Sequence, residues 1–150
     1  MKELCADWFD VEADAKCFPT NGVVKKNGHA VMGRGLAKQV ADRWPSVSWW
    51  LGQVLESDGN HVRALGGVPE CDRKFSLVSF PTKNDWRDKS DLGLVRQSGV
   101  ELVQLTDFMR WKKVILPRPG CDNGGLNWRE VKPVLEEIFD GRFVIVDLAS

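Results

Sequence analysis

Twice along this chain an apolar segment runs into a glycine-rich turn and straight on into an amphipathic helix. The first turn reads Asn21-Gly22-Val23-Val24-Lys25-Lys26-Asn27-Gly28-His29-Ala30-Val31-Met32-Gly33-Arg34-Gly35 and enters a helix at Leu36-Ala37. The second reads Pro117-Arg118-Pro119-Gly120-Cys121-Asp122-Asn123-Gly124-Gly125-Leu126-Asn127 and enters a helix at Trp128. Strands alternating with helices imply an α/β fold with a mostly parallel sheet between helical layers. Ligands of such sheets bind outside the carboxyl ends of the strands. Gly33 and Gly35 let the backbone approach a ligand closely, and the helix that follows aims unpaired N–H groups and its positive dipole end at the turn. One such turn needs glycine for shape alone. Two at the same sheet edge predict a site for two linked phosphates. Neither GxGxxG nor GxxxxGKS/T occurs, so a dinucleotide fingerprint or P-loop is not supported.

The remaining elements fit the same frame. Strands are predicted near Leu4–Phe9, Ala15–Pro19, His61–Leu65, Phe75–Phe80, Lys112–Leu116 and Arg142–Leu148. The fifth and sixth are nearly continuous apolar runs, as strands covered on both faces require. Helices are predicted over Gly35–Trp44, with an extension at Trp49–Leu55, over Ser90–Thr106 and over Trp128–Phe139. Pro45 stops the first. Asn127 caps the last, with Glu130 at the capping-box position and Pro133 as an internal irregularity. Trp44, Trp49 and Trp50 are assigned to the core. No repeat or linker divides residues 1–150, so one domain is expected.

Composition then removes function classes. Lys and Arg number 21 and Asp and Glu 21, so no net field attracts nucleic acid or a membrane. No apolar run approaches the roughly 20 residues of a membrane span, and the opening Met1-Lys2-Glu3-Leu4-Cys5 lacks a signal-peptide core. A cytoplasmic monomer is expected. Cys5, Cys17, Cys71 and Cys121 show neither Cys-x-x-Cys pairing nor histidines at ligand spacing, which favours reduced thiols over a metal site.

The same stretches resemble the macro domain family, above all its branch of ADP-ribose 1″-phosphate phosphatases and terminal ADP-ribose glycohydrolases. The likeness runs from Ala6-Asp7-Trp8-Phe9 to the last strand. Pro19-Thr20-Asn21, Val31-Met32-Gly33-Arg34-Gly35-Leu36-Ala37, Ser79-Phe80-Pro81-Thr82-Lys83, Leu116-Pro117-Arg118-Pro119-Gly120-Cys121 and Gly125-Leu126-Asn127-Trp128 carry it. The resemblance implies a three-layer α/β/α fold with a mixed, mostly parallel sheet and ADP-ribose across its strand ends. It implies that Asp7, with Trp8 beside it, meets the adenine and that Asn21 reaches the distal ribose. Met32, Gly33, Arg34, Gly35, Leu36 and Ala37 would lie beneath that ribose and the diphosphate. Pro117, Arg118, Pro119, Gly120, Cys121, Asp122, Asn123, Gly124 and Gly125 would form the opposing phosphate loop. Lys83 matches a lysine that in the glycohydrolase branch attacks the anomeric carbon. Where that branch carries its acid this chain has Gly124, and Asp122 stands two residues earlier.

Three activities follow, in this order. The first is hydrolysis of the terminal phosphate of ADP-ribose 1″-phosphate, with His29 and Asp122 as acid–base groups and Asn21 and Asn27 positioning ribose or water. The second is release of ADP-ribose from protein carboxylates or a nucleobase through Lys83 or water. The third is binding of ADP-ribose without turnover, as a reader of ADP-ribosylated protein. No metal or other cofactor is expected.

Overall fold

A computed structural model describes residues 1–66, 68 and 74–148. Cys71 lies outside the described residues. Six strands form one sheet: β1 (Lys2–Cys5), β2 (Ala15–Thr20), β3 (Arg63–Ala64), β4 (Ser76–Pro81), β5 (Val114–Leu116) and β6 (Phe143–Asp147), in the spatial order β1-β6-β5-β2-β4-β3. All neighbours run parallel except β3, which pairs antiparallel with β4 at the edge. Four α-helices cover it: α1 (Leu36–Arg43), α2 (Val47–Asp58), α3 (Leu92–Met109) and α4 (Trp128–Glu136). The sheet is mixed and mostly parallel, and the fold is three-layered, as the sequence predicts.

Side chains alternate across a strand, and each interior strand feeds two cores. Phe18, Leu77, Ile115, Val144 and Val146 pack with Val40, Val47, Leu51 and Leu55 of α1 and α2. Cys17, Val78, Val114, Leu116, Phe143 and Ile145 point the other way, onto Val95 and Leu102 of α3 and Val131 and Leu135 of α4. Burying each such side chain contributes about 1.5–3 kcal/mol. That sum, rather than local propensity, fixes the layers.

The boundaries differ from the sequence expectation where a side chain takes over a backbone bond. The first strand stops at Cys5, because the Asp7 carboxylate accepts from Phe9 N at 2.9 Å and turns Trp8–Asp10 into a 3-10 turn. Strand β5 begins at Val114, because the N–H groups of Lys112 and Lys113 donate to Asp14 Oδ2 at 2.7 and 3.0 Å. The expected extension after Pro45 is a separate twelve-residue helix, α2. Trp44 is buried and Trp50 partly so, but Trp49 is 40% exposed, a correction to its placement in the core. Helix α4 ends three residues early at Glu136. Among the described residues no helix is long and apolar enough to cross a membrane.

Cys17 lies at 0% exposure in the middle of β2, and burial pushes its thiol well above the ordinary range. Burial also raises Cys121, to about 11, whereas Cys5 is exposed. Alkylation of the folded protein near pH 8, mapped by mass spectrometry, should label Cys5 before Cys121 and Cys17. Cys17 should react at least ~100-fold more slowly, at the rate of the openings that expose the core. Equal labelling of Cys5 and Cys17 would contradict the burial of β2.

Candidate functional site

Strands β2, β4 and β5 are parallel neighbours, so Thr20, Pro81 and Leu116 end at one edge. The loops leaving them enclose a cavity of about 950 Å³, within the range of small-ligand sites.

The first loop is shaped by Asn21, which is 5% exposed. Its Oδ1 accepts from Val23 N at 3.0 Å and its Nδ2 donates to Val31 O at 2.8 Å, closing the base of a hairpin. Nδ2 carries two hydrogens, so one remains for a ligand. Val24 bridges Ala30 across the hairpin, and Lys25 N donates to His29 O at 2.8 Å. The hairpin rests on α2: Ala30 N donates to Ser48 O at 2.7 Å, and a Cβ on Gly52 would collide with Gly28 O. The chain returns through Val31–Arg34 to Gly35, the N-cap of α1, at φ 70° and ψ −143°. Glycine is the residue that holds such a conformation without strain. No side chain caps α1, so its first turn presents N–H groups that lack intrahelical partners.

The second loop closes on itself through Leu126 N to Gly120 O at 2.9 Å and through a 3-10 turn over Asp122–Gly124. Asp122 sits at φ 56°, a left-handed conformation that aspartate, asparagine and glycine adopt more readily than other residues. Helix α4 does not open toward the cavity. Asn127 Oδ1 accepts from Arg129 N at 2.9 Å and caps it, so this loop offers its turn rather than a helix end. The two loops touch: a Cβ on Gly35 would lie 2.9 Å from Asn123 Nδ2. Arg118 is steered by Asp147 at 3.5 Å and lies over the Trp128 ring at 5.3 Å.

A third loop, residues 82–91, completes the wall. Asp91 N donates to Thr82 O, and Ser90 N donates to Gly124 O, both at 2.8 Å. Lys83 Nζ donates to Trp86 O at 3.4 Å and Asp88 O at 3.1 Å. Thr20 Oγ1 and Ser90 Oγ, each on a residue 6% exposed, line the cavity without a protein partner. A buried hydroxyl left unpaired costs about 1–3 kcal/mol, which a ligand rich in oxygen acceptors relieves. Lys25, Arg34, Lys83, Arg87 and Arg118 face Asp88 and Asp122 on the lining. With Arg87 paired to Asp85 and Arg118 to Asp147, Lys25, Arg34 and Lys83 stand against Asp88 and Asp122, a small local positive excess within a chain of zero net charge.

The structure thus brings together Asn21, Met32, Gly33, Arg34, Gly35, Leu36, Ala37, Lys83, Pro117, Arg118, Gly120, Cys121, Asp122, Asn123 and Gly124. Other predicted residues stand outside the lining. Trp8 is in the core, 5% exposed, with Nε1 donating to Cys17 O at 2.9 Å. Asp7 is on the same edge but at the end of β1, beyond β6, with its carboxylate on Phe9 N. Asn27 Oδ1 accepts from His29 N at the hairpin tip, and His29 Nδ1 pairs with Ser48 Oγ at 2.9 Å on α2. Pro119 is buried, and Gly125 lies against the Lys89 side chain. Thr20, Trp86, Arg87, Asp88 and Ser90 were missed. The signal was available: residues 82–91 connect a buried strand to a helix at the ligand-binding edge. Among the described residues no group of three or more His, Cys, Asp or Glu could hold a metal ion.

A doubly covered, mostly parallel sheet with an anion-suited cleft at its carboxyl edge defines the class of protein. No family model matches the sequence. The chain is 30% identical over 119 residues, 76% of its length, to the DNA ADP-ribosyl glycohydrolase of Thermus aquaticus. It spans about a third (32%) of the length of that relative. The macrodomain of Thermus aquaticus DarG superposes with a TM-score of 0.78 and 26% identity, covering 97% of this chain and 96% of that one. Thermosipho africanus DarTG in complex with ADP-ribose superposes with a TM-score of 0.78 and 20% identity, covering 96% of this chain and 40% of that one. The chain belongs to the macro domain family.

The contact between α2 and the hairpin yields a direct check. Gly52→Ala places a methyl where Gly28 O now lies, so the hairpin must lift from α2. Stability should fall by about 1–3 kcal/mol, the usual cost of overpacking, measured by urea unfolding. An unchanged midpoint would show that the hairpin is not seated as described.

Proposed function

We propose that this chain is an ADP-ribosyl glycohydrolase that releases ADP-ribose from DNA. The observation that carries the reading is the presence of Lys83 on the lining shared by both phosphate-facing loops. The diphosphate is assigned to the uncapped start of α1 and the turn at Gly120–Gly124, with the unpaired Thr20 and Ser90 hydroxyls as further donors. The distal ribose then lies near Asn21, and its anomeric carbon faces Lys83. A lysine amine there acts as nucleophile: Nζ loses a proton and bonds to the anomeric carbon as the glycosidic bond breaks, and the base leaves protonated. Asp122, held in a left-handed backbone conformation on the same lining, is the acid assigned to the base's proton. Water then adds to the same carbon, the carbon–Nζ bond breaks, a proton returns to the amine, and ADP-ribose is freed.

The sequence alone ranks phosphatase first. That order is reversed here for two reasons. The relative of highest identity reported above is named a DNA ADP-ribosyl glycohydrolase, and Asn27 and His29, two side chains the phosphatase reading relies on, stand outside the cavity lining. Charge balance also loses its force against a nucleic-acid substrate, because the positive excess is local to the cleft.

Three measurements test this. The protein should release ADP-ribose from an ADP-ribosylated single-stranded oligonucleotide, detected by mass spectrometry, and should free no phosphate from ADP-ribose 1″-phosphate. Lys83→Ala should lower that release at least ~100-fold while altering calorimetric affinity for ADP-ribose only a few-fold; full activity in this variant would sink the lysine route. Gly35→Val strains a glycine-only conformation and drives a side chain toward Asn123. ADP-ribose affinity should then fall at least ~10-fold with the circular dichroism spectrum preserved. Unaltered affinity would place the diphosphate elsewhere.

A further inference from the structure

Among the described residues seven large apolar side chains are exposed, and Trp86 is the one of them that lines the cavity. It is 48% exposed. The loop beneath it is tightly braced. Gly22 N donates to Asn84 O at 2.9 Å, and Asn60 Nδ2 donates to Lys83 O at 3.1 Å. Asp85 grips Arg87 through both carboxylate oxygens, at 3.0 and 2.7 Å. The Arg87 guanidinium in turn stands 5.9 Å from the centre of the Trp86 ring. The indole is therefore presented to solvent from a fixed support.

Its place in the site limits what it meets. Lys83 Nζ donates to the carbonyl of Trp86 itself at 3.4 Å, so the group leaving the anomeric carbon departs within reach of this residue. Resting on the glycohydrolase reading, we propose that Trp86, with Arg87 beside it, is the stacking platform for the nucleobase that carries the ADP-ribosyl group. Every base has a π-face, so an aromatic platform recognises a base without reading its sequence. A guanidinium at the ring adds a cation–π contribution. A base inside a duplex is hidden in the stack and must be extruded before chemistry, which favours a single strand. The positive excess of the lining supplies the attraction for its phosphates. A protein side chain bearing ADP-ribose offers neither the flat leaving group nor the flanking phosphates.

The test uses the full chain, its Trp86→Ala and Trp86→Phe variants, an ADP-ribosylated single-stranded oligonucleotide and free ADP-ribose. Trp86→Ala should raise KM on the oligonucleotide about 10-fold more than it weakens calorimetric binding of free ADP-ribose, the scale of one lost base–aromatic stack. kcat should change little, and Trp86→Phe should recover most of the loss. Equal losses on both ligands would overturn the proposal, since the indole would then hold ADP-ribose itself. Wild-type release from the oligonucleotide with Trp86→Ala indistinguishable from it rejects the platform alone. Wild-type release from a glutamate-ADP-ribosylated protein but not from the oligonucleotide rejects the platform together with the DNA reading.

Discussion

Strand β2 is hydrogen-bonded between β4 and β5, and all three run the same way. Adjacent strands lie about 4.8 Å apart, so three chain reversals must leave the sheet within roughly 10 Å of one another. No side-chain chemistry is needed to gather them. The parallel ladder alone delivers residues 21–35, 82–91 and 117–127 to one place, and the cavity is the space they cannot fill. Each loop then meets a local demand. One turns without a side chain at Gly35, one folds into a tight turn at Asp122–Gly124, and one braces the others through Asn84 O, which accepts from Gly22 N, and Ser90 N, which donates to Gly124 O.

The binding chemistry divides by source. On the proposed reading, backbone supplies what a diphosphate needs, at the start of α1 and in the second loop, and that contribution is insensitive to pH and largely to sequence. On the same reading, side chains distinguish one ADP-ribosylated substrate from another, and they come mostly from the loop after β4. Zero net charge over the whole chain conceals this arrangement. The relevant quantity is the sign of the cleft, where acidic groups such as Asp85 are already engaged with their own arginine. That pairing holds the Asp85 carboxyl well below the ordinary range, at about 2.

How much of this could be read from the chain depended on the range of the interactions. The interior strands were legible because residues such as Ile115 and Val144 leave no polar face. The two glycine-rich loops that line the cavity were legible because Gly33, Gly35 and Gly120 stand between a strand and a helix. Asp7 and Trp8 were not, since one carboxylate bonded two residues ahead ended β1, and the indole found its partner in the Cys17 carbonyl. The fate of Asn27 and His29 depended on α2, which composition showed only as an extension of α1. Trp86 and Ser90 required knowing that β4 lies beside β2, a pairing across some sixty residues that no local pattern records.

The first and second loops are upholstered by different cores. Met32 and Leu36 pack with the α1–α2 layer, whereas Cys121 and Leu126 pack with the α3–α4 layer. Between those layers stands only the sheet. A molecule gripped from both sides therefore acts as a cross-brace between two halves that otherwise communicate through a single ply of strands and a few loop contacts at its edge, such as Gly22 N to Asn84 O. Its binding energy is felt as added resistance to unfolding in both at once, and mutational damage to either core weakens the other's share of the same grip.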